Sequence, residues 1–332
     1  MLAGAGVSPW LGSSGAASWG PGSGPGAPAR GNGVVDPFDT APRAARTLGR
    51  VAHAPLPSSA PPLLYAHRGS SASYPELTRA AFVEALADGA DGVECDVHLT
   101  RDGYLVLHHD DQLGRTSDGS GALAEHTLEQ LRALDYTSWK GVGIPATHGL
   151  AHEQLMSLDE LLDLLLAAGR PVGLAVETKH PSPRGQGLEE ALLVLLERRG
   201  WDPDSGWLGS VRVSIMSFNA DAVRHLLERV APQNVCQLLD EDSGAQAREN
   251  LVAGPLVGPG IAFVWSHLSE VEQWLRDGAV LRVWTVDTVE DTRACLGLGV
   301  QQITTNVPRT MRARLTGDQS PNSSTSSSAR PV

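Results

Sequence analysis

Between residues 61 and 312 the chain alternates short apolar runs with stretches whose apolar positions recur three and four apart. The first run, 63–66, ends at the polar triplet His67-Arg68-Gly69. Residues 78–88 (TRAAFVEALAD) have helical spacing and stop at Gly89, and 92–99 follows with strand character. Further strand-like runs lie at 172–178, 211–216, 235–239, 261–265, 281–286 and 301–304. Helix-like stretches at 157–168, 188–199, 219–230, 269–277 and 289–297 separate most of them. Such alternation argues for a parallel sheet with crossover helices. Eight strands in about 250 residues fit an α/β fold, a (β/α)8 TIM barrel; a doubly wound open sheet is the alternative.

One run breaks the parallel count. Residues 104–109 follow 92–99 after only Thr100-Arg101-Asp102-Gly103. That is too short for a parallel crossover, and Asp-Gly is a hairpin turn signal. The spacing predicts an antiparallel hairpin that returns His109 to the level of Glu94 and Asp96.

Charge and composition then narrow the class. With 38 acidic and 26 basic residues the net charge is −12, which disfavours broad nucleic-acid binding. No apolar run approaches a membrane span, and the first twenty residues lack the Lys or Arg of a secretory n-region. Cys95, Cys236 and Cys295 have neither the number for a closed disulfide framework nor the spacing of a zinc site. These features predict a soluble, cytoplasmic protein. Gly and Pro supply 19 of the first 60 residues, a low-complexity share, and the end beyond 313 runs into NSSTSSS. Solvated tails at 1–60 and 313–332 are therefore expected around a domain at 61–312.

In barrel enzymes the reactive groups sit at the C-terminal ends of the strands. Here those ends carry His67 and Arg68, then Glu94 and Asp96, then His108 to Asp111, then Glu177, Thr178 and Lys179. Glu94 and Asp96 are two apart and share a strand face, while Cys95 between them faces away. Two carboxylates on one face repel unless a cation lies between them. Glu177 adds a third, and three carboxylates make a hard oxygen site suited to Ca²⁺, Mg²⁺ or Mn²⁺. Pairing of the carboxylates with Arg68 and Lys179 is the other reading, and both can hold together. Only Lys140 and Lys179 are lysines, so Lys179 stands out as a retained compact ammonium. A metal with Arg and Lys beside it suits a phosphate group. Two histidines, each titrating near ~6.5, can divide general base and general acid between them.

These residues carry a resemblance. The HRG triplet, a P-E-x-T turn (PELT), a G-A-D-x-x-E-x-D-V strand, a T-x-D-G turn, an H-D pair and an R-T-x-D-G-x-G run occur in order between 66 and 121. SLDELL, VETK, MSFN, VWTVD and TTNVP follow. Over 61–312 the chain resembles the glycerophosphodiester phosphodiesterases. The resemblance implies a barrel with an insertion over its mouth at 110–157. It implies cleavage of small glycerophosphodiesters to an alcohol and sn-glycerol 3-phosphate, through attack by the glycerol 2-hydroxyl and a cyclic phosphate. Carried over by position, His67 and His109 become the general acid/base pair and Glu94, Asp96 and Glu177 the ligands of a divalent metal. Arg68 and Lys179 become phosphate contacts, and Glu76 supports the substrate site. The chain departs from the family pattern at Leu77, Asp287 and Asn306, where Asn, Asn and Asp are common.

Two other readings stand beside this one. Lysophospholipase D or sphingomyelinase D chemistry on a similar barrel would need an apolar channel, for which Trp139, Trp201, Trp207, Trp265, Trp274 and Trp284 are the candidates. A catalytically silent, phosphodiester-binding barrel is suggested by the three departures alone, and the intact carboxylate and histidine set argues against it.

Overall fold

The structure is a computed structural model and describes residues 61–317. The expected tails at 1–60 and from 318 onward lie outside the described residues.

The elements follow in chain order. β1 (Leu63–His67), α1 (Arg79–Ala87), β2 (Gly92–Leu99) and β3 (Leu105–Leu107) open the domain. α2 (Leu128–Arg132) and α3 (Leu158–Leu166) precede β4 (Val172–Thr178) and α4 (Gly187–Arg198). Then come β5 (Trp207–Leu208), β6 (Val211–Ser217), α5 (Ala220–Leu227), β7 (Val235–Leu239) and α6 (Ala245–Asn250). β8 (Leu256–Pro259), α7 (Ile261–Ser266), α8 (Leu268–Arg276), β9 (Arg282–Val283), α9 (Val289–Leu298), β10 (Gln302–Thr305) and α10 (Pro308–Thr316) complete it.

Eight strands lie side by side in the order β8-β7-β6-β4-β2-β1-β10-β9, and each neighbouring pair is parallel. Single parallel bridges, Val257↔Leu281 and Gly260↔Trp284, join β8 to the β9 segment. The result is a nearly closed (β/α)8 barrel. β2 shows how its wall is built. Val93, Cys95 and Val97 pack outward into the main apolar cluster, together with α3 and α4 leucines such as Leu161, Leu165, Leu192 and Leu196. The alternate positions Glu94 and Asp96 therefore point inward, and Cys95 faces away from them, as expected. All eight residues of β2 are buried.

β3 pairs antiparallel with β2, Leu107 opposite Val97 and Leu105 opposite Leu99. The expected hairpin is present and brings the chain back to His109. Residues 110–157, the segment expected as an insertion, are a run of short helical turns around Leu113, Leu123, Leu131 and Tyr136. It ends where Ser157 caps α3 reciprocally: the Ser157 hydroxyl receives the Glu160 N–H, and Glu160 Oε2 accepts the Ser157 N–H at 2.8 Å.

Three expectations need correction. Residues 261–265 form α7, not a strand. Phe263 and Val264 are buried while Ala262 and Trp265 are exposed, a helical rather than an alternating pattern, and a short apolar run does not separate the two by itself. The strand is instead β8, whose Gly258 and Pro259 read as turn residues. A side chain at Gly258 would lie 2.7 Å from Leu238 and 2.8 Å from Cys236, so close strand packing requires the glycine. The run at 281–286 pairs as a strand only over Arg282–Val283. Finally, the boundary expected at 313 falls inside α10, which runs to Thr316 with Pro308 in its first turn and Met311 buried.

Candidate active site

The loop after β1 is fixed by Gly69. Its φ is +77°, and a Cβ there would lie 2.6 Å from the Ala81 backbone, so only glycine lets this loop pack onto α1. Arg68 before it also has a positive φ, 55°, an uncommon conformation for a side-chain-bearing residue. That turn aims the Arg68 N–H at Glu94 Oε2, 2.9 Å away. Its guanidinium donates from Nη1 to Glu76 Oε1 at 2.9 Å and places Nε 3.1 Å from Asp96 Oδ2.

β2 contributes Glu94 and Asp96, exposed by 1% and 0%. β4 contributes Glu177, directly beside Asp96 in the parallel register. One oxygen from each of the three lies within 4.8 Å of the others. Lys179 Nζ donates to Glu177 Oε1 at 2.8 Å and stands 3.4 Å from Asp96 Oδ1. The charges are unequal in their comfort. Burial opposes ionisation of Asp96, but Lys179 and Arg68 outweigh it and hold its carboxyl down at about 2. Burial and the Asp96 charge push Glu177 up to about 7 and Glu94 well above the carboxylate range. The two side-chain cations therefore do not satisfy all three carboxylates. Asp96 meets them only as ion pairs, with neither oxygen in an aligned hydrogen bond. A hard divalent cation fits this donor set: it would let Glu94, Asp96 and Glu177 ionise together.

The two imidazoles stand on either side. His67, at the end of β1, places Nε2 4.0 Å from Glu94 Oε2 and holds Asn306 Oδ1 at 2.8 Å through Nδ1. Burial and the Arg68 charge lower its pKa to about 4. His109 holds Asp110 Oδ1 at 2.6 Å through Nδ1; burial lowers its pKa as well, against the pull of Asp96. Arg115 extends this side. It donates to Asp110 Oδ1 at 3.1 Å and to Glu76 Oε1 at 2.7 Å, so Glu76 serves both Arg68 and Arg115.

These groups share a cleft of about 590 Å³, open to solvent. His67, Arg68, Glu94, His109, Glu177 and Lys179 line it, Met216, Phe218, Leu238 and Trp284 give it an apolar stretch of wall, and Arg282 and Thr304 complete the lining. Asp96 does not itself line it. All eight site residues expected from the sequence are thus brought together, Glu76 through its two arginines. His108, the neighbour of His109, is turned away: its nitrogens meet Asp110 O at 2.8 Å and Thr116 Oγ1 at 3.0 Å, and it is buried.

Sequence reasoning missed Arg115, Met216 and Phe218 as parts of the site, singled out Asp287 and Asn306 only as departures from the family pattern, and offered Trp284 only for an apolar channel. Each sits inside a motif that was visible: Arg115 in the R-T-x-D-G-x-G run, Met216 and Phe218 in MSFN, Trp284 and Asp287 in VWTVD, Asn306 in TTNVP. The six tryptophans do not form one channel. Trp284 lines the cleft, Trp201 is buried in the outer core, Trp207 in β5 packs half-buried against the inner cluster, Trp274 stacks on Phe263, and Trp139 and Trp265 are exposed. Among the described residues no helix is long and apolar enough to cross a membrane.

Comparison with known proteins bears on this geometry. Residues 67–310 match the model of the glycerophosphoryl diester phosphodiesterase family. The chain is 40% identical over 257 residues to a probable glycerophosphodiester phosphodiesterase 1 of Mycobacterium tuberculosis, covering 76% of this chain and 92% of that one. It is 32% identical over 256 residues to a glycerophosphodiester phosphodiesterase of Caldanaerobacter subterraneus, covering 75% and 96%. Among solved structures, an Oleispira antarctica phosphodiesterase in complex with the product sn-glycerol-3-phosphate aligns with a TM-score of 0.63 at 22% identity, over 77% of this chain and 97% of that one. At that identity the likeness shows the fold.

Proposed function

The chain belongs to the glycerophosphoryl diester phosphodiesterase family and is a phosphodiesterase, and from that premise we propose that it hydrolyses small glycerophosphodiesters to an alcohol and sn-glycerol 3-phosphate, with a divalent metal and two histidines. One observation carries the reading: two imidazoles flank a buried three-carboxylate cluster with an arginine and a lysine between them.

Glu94, Asp96 and Glu177 would hold the metal, which when bound supplies Lewis-acid polarisation of a phosphoryl oxygen. Arg68 and Lys179 bind the phosphate and orient it. Glu76 and Arg115 brace Arg68 from the rim. His67, facing a neutral amide, is suited to take the proton of the attacking hydroxyl. His109, facing the Asp110 carboxylate, is suited to carry a proton and give it to the departing alkoxide. With the glycerol 2-hydroxyl as nucleophile, its O–P bond forms as the bond to the leaving alcohol breaks. Water then opens the cyclic phosphate, and the histidines exchange roles. An internal nucleophile is already in place, which removes an entropic barrier. The apolar wall of Met216, Phe218, Leu238 and Trp284 excludes water from one side of the reacting group.

The test is release of sn-glycerol 3-phosphate from glycerophosphocholine, glycerophosphoethanolamine and glycerophosphoglycerol, with EDTA and with added Ca²⁺, Mg²⁺ or Mn²⁺. Release that EDTA abolishes and one of these ions restores is the expected result, and the ranking of headgroups gives the preference. Folded protein that releases nothing with any ion would overturn the reading and direct the assay to lysophospholipid micelles.

A further inference from the structure

Asp287 has no part in the scheme above and Asn306 enters it only as the amide beside His67, yet together they hold that imidazole. Asp287 follows β9 and Asn306 follows β10, so the barrel brings them side by side. Asp287 Oδ1 accepts from the Thr305 hydroxyl at 2.7 Å and from the Asn306 N–H at 2.8 Å. Its Oδ2 accepts from Asn306 Nδ2 at 2.6 Å. An ionised carboxylate only accepts, so it fixes the amide nitrogen on its own side and turns the amide oxygen the other way. That oxygen accepts from the Ser71 hydroxyl at 2.8 Å and meets His67 Nδ1 at 2.8 Å. An amide oxygen cannot donate. His67 must therefore carry its proton on Nδ1, which leaves the Nε2 lone pair on the edge of the ring toward Glu94 and the cleft.

We propose that Asp287 and Asn306 are positioning residues that lock His67 in its Nδ1–H tautomer and so present Nε2 as a proton acceptor. The consequence for turnover rests on the functional reading above; the tautomer itself does not. Among the described residues Asp287 and Asn306 are also two of the three departures from the family pattern, and they are the two that touch. The pair keeps one acid and one amide, but it is the amide that faces the imidazole.

The tautomer is read by ¹⁵N NMR of histidine-labelled, metal-free protein, above the imidazole titration range (~6.5), with His67→Gln used only to assign the signals. In the wild type, Nδ1 of His67 should show the protonated shift and Nε2 the unprotonated one. Asp287→Asn releases the amide, which can then turn its nitrogen toward His67. The Nε2–H form should appear, and kcat on the best glycerophosphodiester should fall about 10–100-fold, the range for loss of a partner that orients a site histidine. KM should change little, because substrate contacts are untouched. The exchange D287N/N306D places an acceptor-only carboxylate against Nδ1. It should restore the Nδ1–H form, which a purely structural role for the pair would not produce. Asn306→Ala removes the acceptor from Nδ1 and should also let the Nε2–H form appear, which secures the test if Asp287→Asn does not fold. An Nε2–H signal in the wild type, an unchanged tautomer in Asp287→Asn, or an exchanged pair that does not recover the Nδ1–H form would overturn the proposal. A wild type with the expected tautomer that cleaves no glycerophosphodiester would instead overturn the functional reading and leave the positioning role standing.

Discussion

The two histidine corners of the cleft are built from opposite materials. His67 leans on a neutral amide that comes from the far end of the chain, 239 residues away, and is pinned inside the barrel rim. His109 leans on the carboxylate of the next residue, which is tied through Arg115 to Glu76 across the mouth. A neutral acceptor orients an imidazole and favours its charge less than a carboxylate does. On the proposed reading, the contrast teaches that two identical side chains in one cleft can be prepared for opposite proton transfers by the groups they lean on. It also shows which parts of the molecule do the preparing. On the reading proposed above, residues that follow barrel strands prepare the base, and residues of the 110–157 segment prepare the acid.

The sharpest way to break this comparison is to remove each ring. His67→Ala and His109→Ala should each lower kcat by about 10²–10⁴-fold on a natural diester. A substrate whose leaving group needs no proton, such as a glycerophosphoryl nitrophenyl ester, should separate them. His109→Ala should regain most of its activity on that substrate, whereas His67→Ala should not. Recovery of His67→Ala instead would reverse the assignment.

Glu94 belongs to the carboxylate cluster and also borders the His67 corner, so Glu94→Gln tests whether the corners work without the cluster. The change removes one like charge beside Asp96 and keeps the shape. Titration calorimetry with Ca²⁺, Mg²⁺ and Mn²⁺ should show affinity weakened by at least about tenfold, as loss of a charged oxygen ligand implies. The metal-free protein should melt no lower than the wild type, since a buried carboxylate crowded by another is unfavourable. Unaltered metal affinity would remove Glu94 from the ligand set.

A smaller change makes one corner resemble the other. Asp110→Asn gives His109 a neutral partner like that of His67 and frees Arg115 on that side. Turnover of a natural diester should fall about 10–100-fold, and much less on the nitrophenyl ester. Equal losses on both would mean that Asp110 acts on loop structure rather than on the proton held by His109.

Legibility of the site followed distance along the chain. The His67, Glu94, Asp96 and His109 set was readable because β1, β2 and β3 follow one another closely and the strand period fixes which side chains share a face. Glu177 and Lys179 were readable from their place at the end of β4. Asn306 was not, because nothing local says that the end of β10 lies beside β1; the ring has to close before residues 67 and 306 meet. The role of Arg115 was hidden differently. The insertion lacks strong periodicity, so the position of its residues over the mouth is set by tertiary packing. The misread strand at 261–265 has a third cause: an apolar run of five residues fits either a buried strand or a short helix, and the glycine that β8 needs for close packing looked like a turn.

The smallest effect should come from His108. It adjoins His109 in sequence and is the obvious competitor for the catalytic role. Its two nitrogens are already engaged, with Asp110 O at 2.8 Å and Thr116 Oγ1 at 3.0 Å, and it stands edge-on to Tyr136 with ring centroids 6.3 Å apart. At 2% exposure it is part of the insertion's core. His108→Ala should therefore lower kcat by less than about tenfold, short of the loss that marks an acid/base residue. It should cost about 1–3 kcal/mol of stability, the range for leaving buried polar partners unsatisfied, read as a shift in the denaturant midpoint at constant m. A loss of turnover as deep as that of His109→Ala, with stability unchanged, would mean that the hairpin delivers His108 rather than His109 to the phosphate. The distinction drawn between the two corners would then fall with it, because the carboxylate of Asp110 would no longer be the partner of the acid.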